Sequence, residues 1–383
     1  MPWNWELPDW PNFSWNPARL RKAEAQFLLG AGSIAGAVKH LPLADRDQIA
    51  IEVLSTEALT TSEIEGEILD RASVQSSIRR HFGLAEPKGR VAPAEEGIAE
   101  IMVAVQRTYA EPLSSGSLFA WHSLLFQRRG GLLDVGCYRT GLAPMQVVSG
   151  AIHAPRIHFE APPSSRVSRE MQRFVTWFNR SAPDGSNPLP ALTRAGIAHL
   201  YFESIHPFED GNGRLGRAIA EKAFSQCLGN ATVIALAATI LVRRKAYYRA
   251  LEAANKALEV TDWLAWFAGI AIEAQRRTAG LVDFLLDKTR LLDRLRGQLN
   301  PRQEKALLRM FREGPEGFKG GLSAGNYTKI TRASPATATR DLADLVAKGA
   351  LIRSGELRHA RYHLTVRLKN VGPVPIDKHG DFH

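Results

Sequence analysis

The sequence predicts a mainly helical protein with one β insertion and a separate winged helix-turn-helix at its C-terminal end. Apolar residues recur at helical spacing through most of the first 300 residues. A stretch rich in glycine and proline, residues 130–163, interrupts them, and after Pro301 three short helices precede two strands. The 383 residues, 45% apolar and 23% charged, have the composition of a folded protein of two or three domains.

Composition also excludes several protein classes. The chain has no run of about 18 uncharged apolar residues, so we expect no transmembrane helix and no membrane partner. The first residues lack the basic and apolar regions of a secretory signal. Cys137 and Cys227 are too few for a disulfide scaffold or a four-cysteine zinc site. We expect both to be small buried side chains in a cytoplasmic protein.

The N-terminal region, residues 1–95, begins with an arm rich in tryptophan. Four of the eight tryptophans lie within the first fifteen residues: Trp3, Trp5, Trp10 and Trp15. Their spacing fits neither a helix nor a strand, so we expect an irregular arm or lid whose rings pack along another surface. Docking for stability alone explains such an arm most simply. Helical spacing begins at Pro17, and a further helix over about 54–69 contains the segment TSEIEGE.

The central region, residues 96–295, is predicted to be a helical core with one hairpin. Within the glycine- and proline-rich stretch, MQVVSG and RIHFEA have the pattern of two strands around a turn, so residues 136–163 predict a β hairpin. Helices are expected over 98–109, 113–126, 167–179, 191–205, 241–255 and 262–295.

The C-terminal region, residues 300–367, predicts a winged helix-turn-helix. Residues 301–370 contain 14 Lys and Arg against 6 Asp and Glu, which is most of the net charge of +10. Such a local basic field indicates DNA as a partner, although a merely basic surface or a role in protein contacts and homodimerisation stays open. The side chains expected to face DNA are Thr337, Thr339, Arg340, Lys348, Arg353, Arg358, His359 and Arg361. Residues 370–383 are expected to form a mobile tail.

The segment HPFEDGNGRLGR, residues 206–217, has the pattern of a phosphate-binding loop followed by a helix. Only small residues permit the tight loop Gly211–Asn212–Gly213, whose N–H groups and the start of the next helix form an anion site. Arg214 and Arg217 share one face of that helix and match the geometry of phosphate oxygens.

Two further residues of this segment point to chemistry. Asp210 lies beside the loop and can hold a magnesium ion that also binds phosphates. His206 lies at the loop entrance, where a neutral imidazole takes a proton from a hydroxyl. The combination predicts attack of a hydroxyl on a nucleotide phosphate.

The segment resembles the signature of the Fic family, H-x-F-x-(D/E)-G-N-G-R-x-x-R, at every defined position. TSEIEG, residues 61–66, is similar to the family's inhibitory-helix pattern, (S/T)-x-x-x-E-(G/N). The hairpin at 136–163 resembles the family's flap, which binds a target segment by strand addition. The pair Tyr247–Tyr248 followed by Asn255 resembles its adenine contacts. The resemblance covers nearly the whole chain and implies a Fic-type helical bundle.

The resemblance implies a protein adenylyltransferase, which moves AMP from ATP, with Mg²⁺, to a Tyr, Thr or Ser hydroxyl of a target protein or of itself. His206 would be the general base, Arg217 would hold the γ-phosphate, and Glu65 would inhibit by pairing with Arg217. The implied nucleotide-binding residues are Asp210 (also the metal ligand), Gly211, Asn212, Gly213, Arg214, Leu215, Gly216, Arg217, Tyr247, Tyr248 and Asn255. The implied inhibitory residues are Thr61, Glu65 and Gly66, and the implied flap residues are Val148, Ser149, Gly150 and Ala151.

Other functions stay open at this point. Gly213 favours AMP transfer, because a lysine there is associated with the family's kinase-like branch. A transcription regulator whose core only senses nucleotide is one alternative. Another is removal of AMP from a modified protein, with Glu65 orienting a water. A third is a different nucleotide donor, such as UTP or CDP-choline.

Overall fold

The structure, a computed structural model, describes residues 2–39, 41–84, 92–126, 134–151, 154–231, 234–313, 317–318 and 320–382. The chain divides into two compact units. Unit 1 comprises Met1–Thr278 and Val371–His383, and unit 2 comprises Ala279–Asn370. In the described residues no helix is long and apolar enough to cross a membrane.

Unit 1 is helical, as the sequence predicts, with one two-stranded sheet. Its helices are α1 (Pro17–Lys39), α2 (Leu43–Ile64), α3 (Arg71–His81), α4 (Pro93–Arg107), α5 (Ser115–Phe126), α6 (Ser164–Arg180), α7 (Ala191–Ile205), α8 (Asn212–Leu228), α9 (Leu236–Val242), α10 (Arg244–Ala254) and α11 (Thr261–Arg294), the last of which continues into unit 2. Every residue of α7 is buried, so this helix lies at the centre of the core. It packs against α8, to which a short loop connects it.

The sheet of unit 1 is an antiparallel hairpin of β1 (Gln146–Ala151) and β2 (Ala154–Glu160). Val148 pairs with Ile157 and Ser149 with Arg156, and a register shift lies between Val147 and Val148. Among the described residues this sheet has two strands, so one edge of β1 is unpaired. The hairpin lies within the residues 136–163 predicted to form it.

Two helix predictions are corrected by the structure, and one helix was missed. Helix α2 ends at Ile64 rather than continuing to residue 69, because Gly66 has φ +86°, a left-handed conformation that stops a helix. Residues 241–255 form the end of α9 and the separate helix α10, with the break at Arg243. Helix α3 was not predicted, because its polar sequence RASVQSSIRRH carries few apolar positions.

The last residues pack onto unit 1, which differs from the mobile tail expected at 370–383. Val374 is buried, and Arg19 donates a hydrogen bond of 2.9 Å to the carbonyl of Asp377. Lys22 and Asp381 form an ion pair. The prediction for Cys137 was also wrong, because this side chain is exposed.

After the end of α11, the described residues of unit 2 form three helices followed by a hairpin, in the predicted order. They are α12 (Pro301–Arg312), α13 (Ala324–Thr331), α14 (Pro335–Ala347), β3 (Leu351–Ser354) and β4 (Arg361–Leu364). Ser323 and Ser334 cap α13 and α14 by accepting backbone N–H groups. Asp341 accepts hydrogen bonds from the Tyr327 hydroxyl and from Arg302, which ties α14 to α12 and α13.

Some of the residues expected to face DNA are exposed in unit 2. Thr339, Arg340 and Arg353 are exposed. Lys348 instead pairs with Asp344 at 2.5 Å and donates to the carbonyl of Gln298, so its ammonium group is held by its own unit. The side chain of Arg358 lies outside the described residues.

Candidate active site

His206 ends helix α7 in a strained backbone conformation. Its φ of 49° and ψ of 61° are left-handed, which is uncommon for a residue with a side chain. Its N–H donates to the carbonyl of Phe202, and its own carbonyl accepts a 2.8 Å hydrogen bond from Nε of the buried Arg139. These bonds on both sides fix the backbone, and with it the direction of the Cα–Cβ bond from which the imidazole extends.

The surroundings of His206 keep its imidazole neutral. Burial and the nearby guanidinium of Arg139 lower the pKa of His206 to about 4. Its Nδ1 lies 3.8 Å from Oε2 of Glu203, whose pKa is raised to about 8 by burial and by the charge of Glu65. At neutral pH the histidine is therefore unprotonated and able to accept a proton, while Glu203 is predominantly protonated.

The loop after His206 is closed by one side chain. Asn212 accepts from the N–H of Phe208 at 3.0 Å and donates to its carbonyl at 2.8 Å. Phe208 is fully buried, as the sequence predicts. Gly211, with φ +83°, turns the chain into α8, which begins at Asn212. The first N–H groups of α8 have no carbonyl one turn earlier, so they are available to an anion.

Arg217 is held by the C-terminal end of α2. Its Nε donates to Thr61 Oγ1 at 2.7 Å, and its Nη2 donates to the Thr61 carbonyl at 2.9 Å and to Glu65 Oε1 at 2.7 Å. Its Nη1 is buried and has no hydrogen-bond partner in the described part of the chain. Burial favours the neutral form of Glu65, but Arg217 and Arg214 outweigh it and lower the pKa of this carboxyl.

Arg214 has a carboxylate partner of its own at the end of α2. Its Nη1 lies 2.9 Å from Oε2 of Glu67, and its Nη2 lies 3.5 Å from Oδ2 of Asp210. The Asp210 side chain is 56% exposed. No group of three or more metal-binding side chains occurs among the described residues. One exposed carboxylate beside a phosphate loop fits Mg²⁺, which keeps several waters and shares phosphate oxygens.

His206, Glu203 and Glu65 line a cavity of about 670 Å³, together with residues of the hairpin and of α10, whereas Asp210, Arg214 and Arg217 are not among its lining residues. The predicted residues that line it are Glu65, Val148, Ser149, His206, Gly213, Tyr247, Tyr248 and Asn255. Leu215 packs in the core instead, and a side chain at Gly216 would collide with Glu203. A side chain at Gly213 would collide with Oε1 of Glu65, so the carboxylate occupies the space next to the loop.

Four residues that contact the segment 206–217 were missed in the sequence. Arg139 and Glu203 act on His206, and Glu67 pairs with Arg214, as described above. His122 stacks on Phe208, with 4.2 Å between ring centroids, and its Nδ1 accepts the N–H of Gly136. Each is a lone polar residue without a motif, although the position of Glu67 directly after TSEIEG was a usable signal.

Comparison with known proteins identifies the central part of the chain. Residues 112–223, which include the loop and both arginines, match the Fic/DOC family model. This segment is therefore similar to the Fic/DOC family. Residues 3–84 match a second model, a domain of unknown function (DUF4172) that precedes the Fic/DOC domain.

Solved structures with a Fic domain share the fold. A Fic family protein from Desulfovibrio desulfuricans is 20% identical, with a TM-score of 0.52, over 94% of this chain and 99% of that one. A Fic domain containing signaling protein from Bacteroides thetaiotaomicron is 15% identical, with a TM-score of 0.51, over 70% of this chain and 97% of the other. At these identities the likeness concerns the fold.

Proposed function

We propose that this protein is an adenylyltransferase that transfers AMP from ATP to a hydroxyl of a target protein or of itself. The observation that carries the proposal is the arrangement around one cavity. A neutral His206, the start of helix α8 and strand β1, which has an unpaired edge, all border it, with Arg217 next to Gly213. A nucleophile, a proton acceptor and an anion site are the groups that phosphoryl or nucleotidyl transfer requires.

In the proposed step the target hydroxyl attacks the α-phosphorus of ATP. The new bond joins the hydroxyl oxygen to phosphorus, the bond to the bridging α–β oxygen breaks, and pyrophosphate leaves. The imidazole of His206 takes the hydroxyl proton. The N–H groups at the start of α8 stabilise the charge on the phosphates. A target segment would pair with the free edge of β1, which places its hydroxyl over the cavity.

Asp210 would hold Mg²⁺ beside the loop. When bound, Mg²⁺ supplies positive charge that neutralises the phosphate oxygens. Tyr248 and Asn255 would contact the base, since both line the part of the cavity next to α10.

Glu65 would inhibit AMP transfer. Its carboxylate holds Arg217 at 2.7 Å and occupies the space beside Gly213. The γ-phosphate would need the same guanidinium, so the carboxylate and the phosphate compete for it. The buried and unpartnered Nη1 of Arg217 is a donor that a phosphate oxygen would satisfy.

The test compares the wild type, Glu65→Gly and Glu65→Gly/His206→Ala. Each is incubated with Mg²⁺ and α-labelled ATP and analysed by intact mass. Removing the charge-assisted hydrogen bond should raise AMP incorporation about 10- to 100-fold in Glu65→Gly. Removing the base should lower it again by about 100-fold or more. Equal incorporation by wild type and Glu65→Gly would refute inhibition of AMP transfer by Glu65.

Two further measurements separate the alternative functions. Label transferred from γ-labelled ATP would indicate phosphoryl transfer instead. Release of AMP from a modified target, with no incorporation by any variant, would indicate the reverse reaction.

We propose, in addition, that unit 2 binds DNA. Thr339 and Arg340 on α14 and Arg353 on β3 are exposed on a region that carries most of the excess positive charge. Exposed basic residues on a helix and on an adjacent hairpin fit a major groove and its flanking phosphates.

A further inference from the structure

The N-terminal arm contacts both walls of the nucleotide cavity. The two walls are strand β2 and the C-terminal end of α10, which contribute Phe159 and Asn255 to the cavity. A short 3₁₀ turn, Asn4–Glu6, lies against both of them. The turn is closed by a 2.7 Å hydrogen bond from the N–H of Trp3 to Glu6.

The contacts to β2 are made by two tryptophans. The ring of Trp3 meets the ring of Phe159 edge to face, with 5.3 Å between centroids. The indole N–H of Trp5 donates to the carbonyl of Glu160 at 2.7 Å. The arm therefore fixes the position of β2 where that strand borders the cavity.

The contacts to α10 centre on Asn4, which is completely buried. Its N–H donates to the carbonyl of Asn255 at 2.7 Å, and its Nδ2 donates to Ser204 Oγ at 2.8 Å. Ser204 Oγ lies 3.1 Å from Oδ1 of Asn255 and 2.8 Å from the carbonyl of Leu200. Asn4 thus holds Asn255 twice, once through the backbone and once through the serine.

We infer that Asn4 is a positioning residue for recognition of the nucleotide's base. An amide side chain presents a donor and an acceptor of nearly equal shape, and only its hydrogen-bond partners decide which one faces a ligand. The serine hydroxyl has one proton, and its oxygen accepts a hydrogen bond from Asn4. This bond restricts the orientation in which the hydroxyl can hydrogen-bond to the amide of Asn255. The arm thereby determines which polar edge Asn255 offers to a base. The inference rests on the proposed function, because it takes the cavity to bind a nucleotide.

The test measures binding rather than transfer, in full-length protein carrying Glu65→Gly. Dissociation constants are measured by calorimetry for ATP and for inorganic tripolyphosphate, with Mg²⁺. Tripolyphosphate binds the loop and the arginines but has no base. Asn4→Ala should weaken ATP about three- to tenfold, the effect of one lost buried hydrogen bond, and leave tripolyphosphate unchanged.

Two variants serve as controls. Asn12→Ala removes an exposed asparagine of the same arm and should change neither constant. Ser204→Ala should weaken ATP binding as much as Asn4→Ala does. The double variant should bind ATP little more weakly than either single variant, because both substitutions break the same hydrogen-bonded path from Asn4 through Ser204 to Asn255.

The outcomes distinguish this inference from the proposed function. Equal weakening of ATP and tripolyphosphate by Asn4→Ala, or no weakening of either, would overturn the inference. Selective weakening of ATP without AMP transfer by the Glu65→Gly protein would support the inference and refute the proposed transferase. A Glu65→Gly protein that binds neither ligand would overturn both.

Discussion

Arg214 and Arg217 are each paired with a carboxylate that follows helix α2. Glu65 reaches Arg217, whose side chain is 3% exposed, and Glu67 reaches Arg214, whose side chain is 5% exposed. The two arginines differ in the further contacts that they make. Thr61 adds two further contacts to Arg217, whereas Arg214 also has Asp210 at 3.5 Å. Loss of Glu67 therefore leaves Arg214 with a neighbouring carboxylate.

This difference predicts unequal effects on AMP transfer. Glu67→Gln should raise incorporation only about two- to threefold, because Asp210 stays 3.5 Å from Arg214 after the Glu67 charge is lost. The measurement is the initial rate of labelling from α-labelled ATP, with Glu65→Gly run in parallel as the larger effect. A Glu67→Gln rate equal to that of Glu65→Gly would show that the two pairs restrain the site equally.

Helix α7 carries a buried histidine, His199, about two turns before His206. His199 lies 2.9 Å from the hydroxyl of Tyr247, and burial lowers its pKa from 6.5 to about 4. The folded protein therefore takes up this proton only near pH 4, while the unfolded chain takes it up near pH 6.5. Since the unfolded state binds the proton first, the free energy of unfolding falls as the pH is lowered through this window.

His199→Gln should make unit 1 less sensitive to acid. Between pH 6.5 and 5 the slope of unfolding free energy against pH should decrease by up to about 1.4 kcal/mol per pH unit, the value for one proton. All eight tryptophans lie within residues 1–278, so urea unfolding followed by tryptophan fluorescence reports on unit 1. His206→Gln is the matched comparison, because its pKa is also lowered to about 4. Parallel slopes for wild type and His199→Gln would contradict the assignment.

Elements with strong local signals were predicted well from the sequence. Helix α7 has the expected bounds, because Pro190 precedes it and an apolar run fills it. The motif residues His206 and Arg217 and the distant Glu65 lie within one site, as the resemblance implied. Their chemical roles stay predictions until the transfer assays are made.

The remaining features depend on contacts between distant segments, which periodicity does not encode. Arg139 acts on His206 across 67 positions of the chain, and Asn4 reaches Ser204 across 200. The end of α2 is set by the backbone of Gly66, and this moves Glu65 from a helix interior to its C-terminal cap. The packing of Val374 follows from apolar contact with unit 1 and has no local signal.

At the scale of the whole molecule, the two units carry different charge. The excess of basic residues lies in residues 301–370, which belong to the second unit. If unit 2 binds DNA, its affinity depends on salt through the phosphates that exposed cations contact.

Arg340→Ala should therefore weaken binding to double-stranded DNA of random sequence. The slope of log K against log salt should become shallower by about one. Fluorescence anisotropy of the full-length protein between low and moderate salt measures it. Lys348→Ala is the matched control and should leave the slope unchanged, because Asp344 already holds that ammonium group. Identical slopes for Arg340→Ala and wild type would argue against DNA contact by α14.

Residues 371–382 belong to unit 1 although they follow unit 2 in the chain, and this order affects how unit 1 folds during synthesis. Unit 1 contains Val374, Asp377 and Asp381, and the whole of unit 2 precedes them in the chain. During synthesis, unit 1 cannot acquire these contacts until the ribosome has finished unit 2. A nascent chain halted at residue 300 would hold the complete segment that matches the Fic/DOC model and still lack the C-terminal residues that contact Arg19 and Lys22 of helix α1.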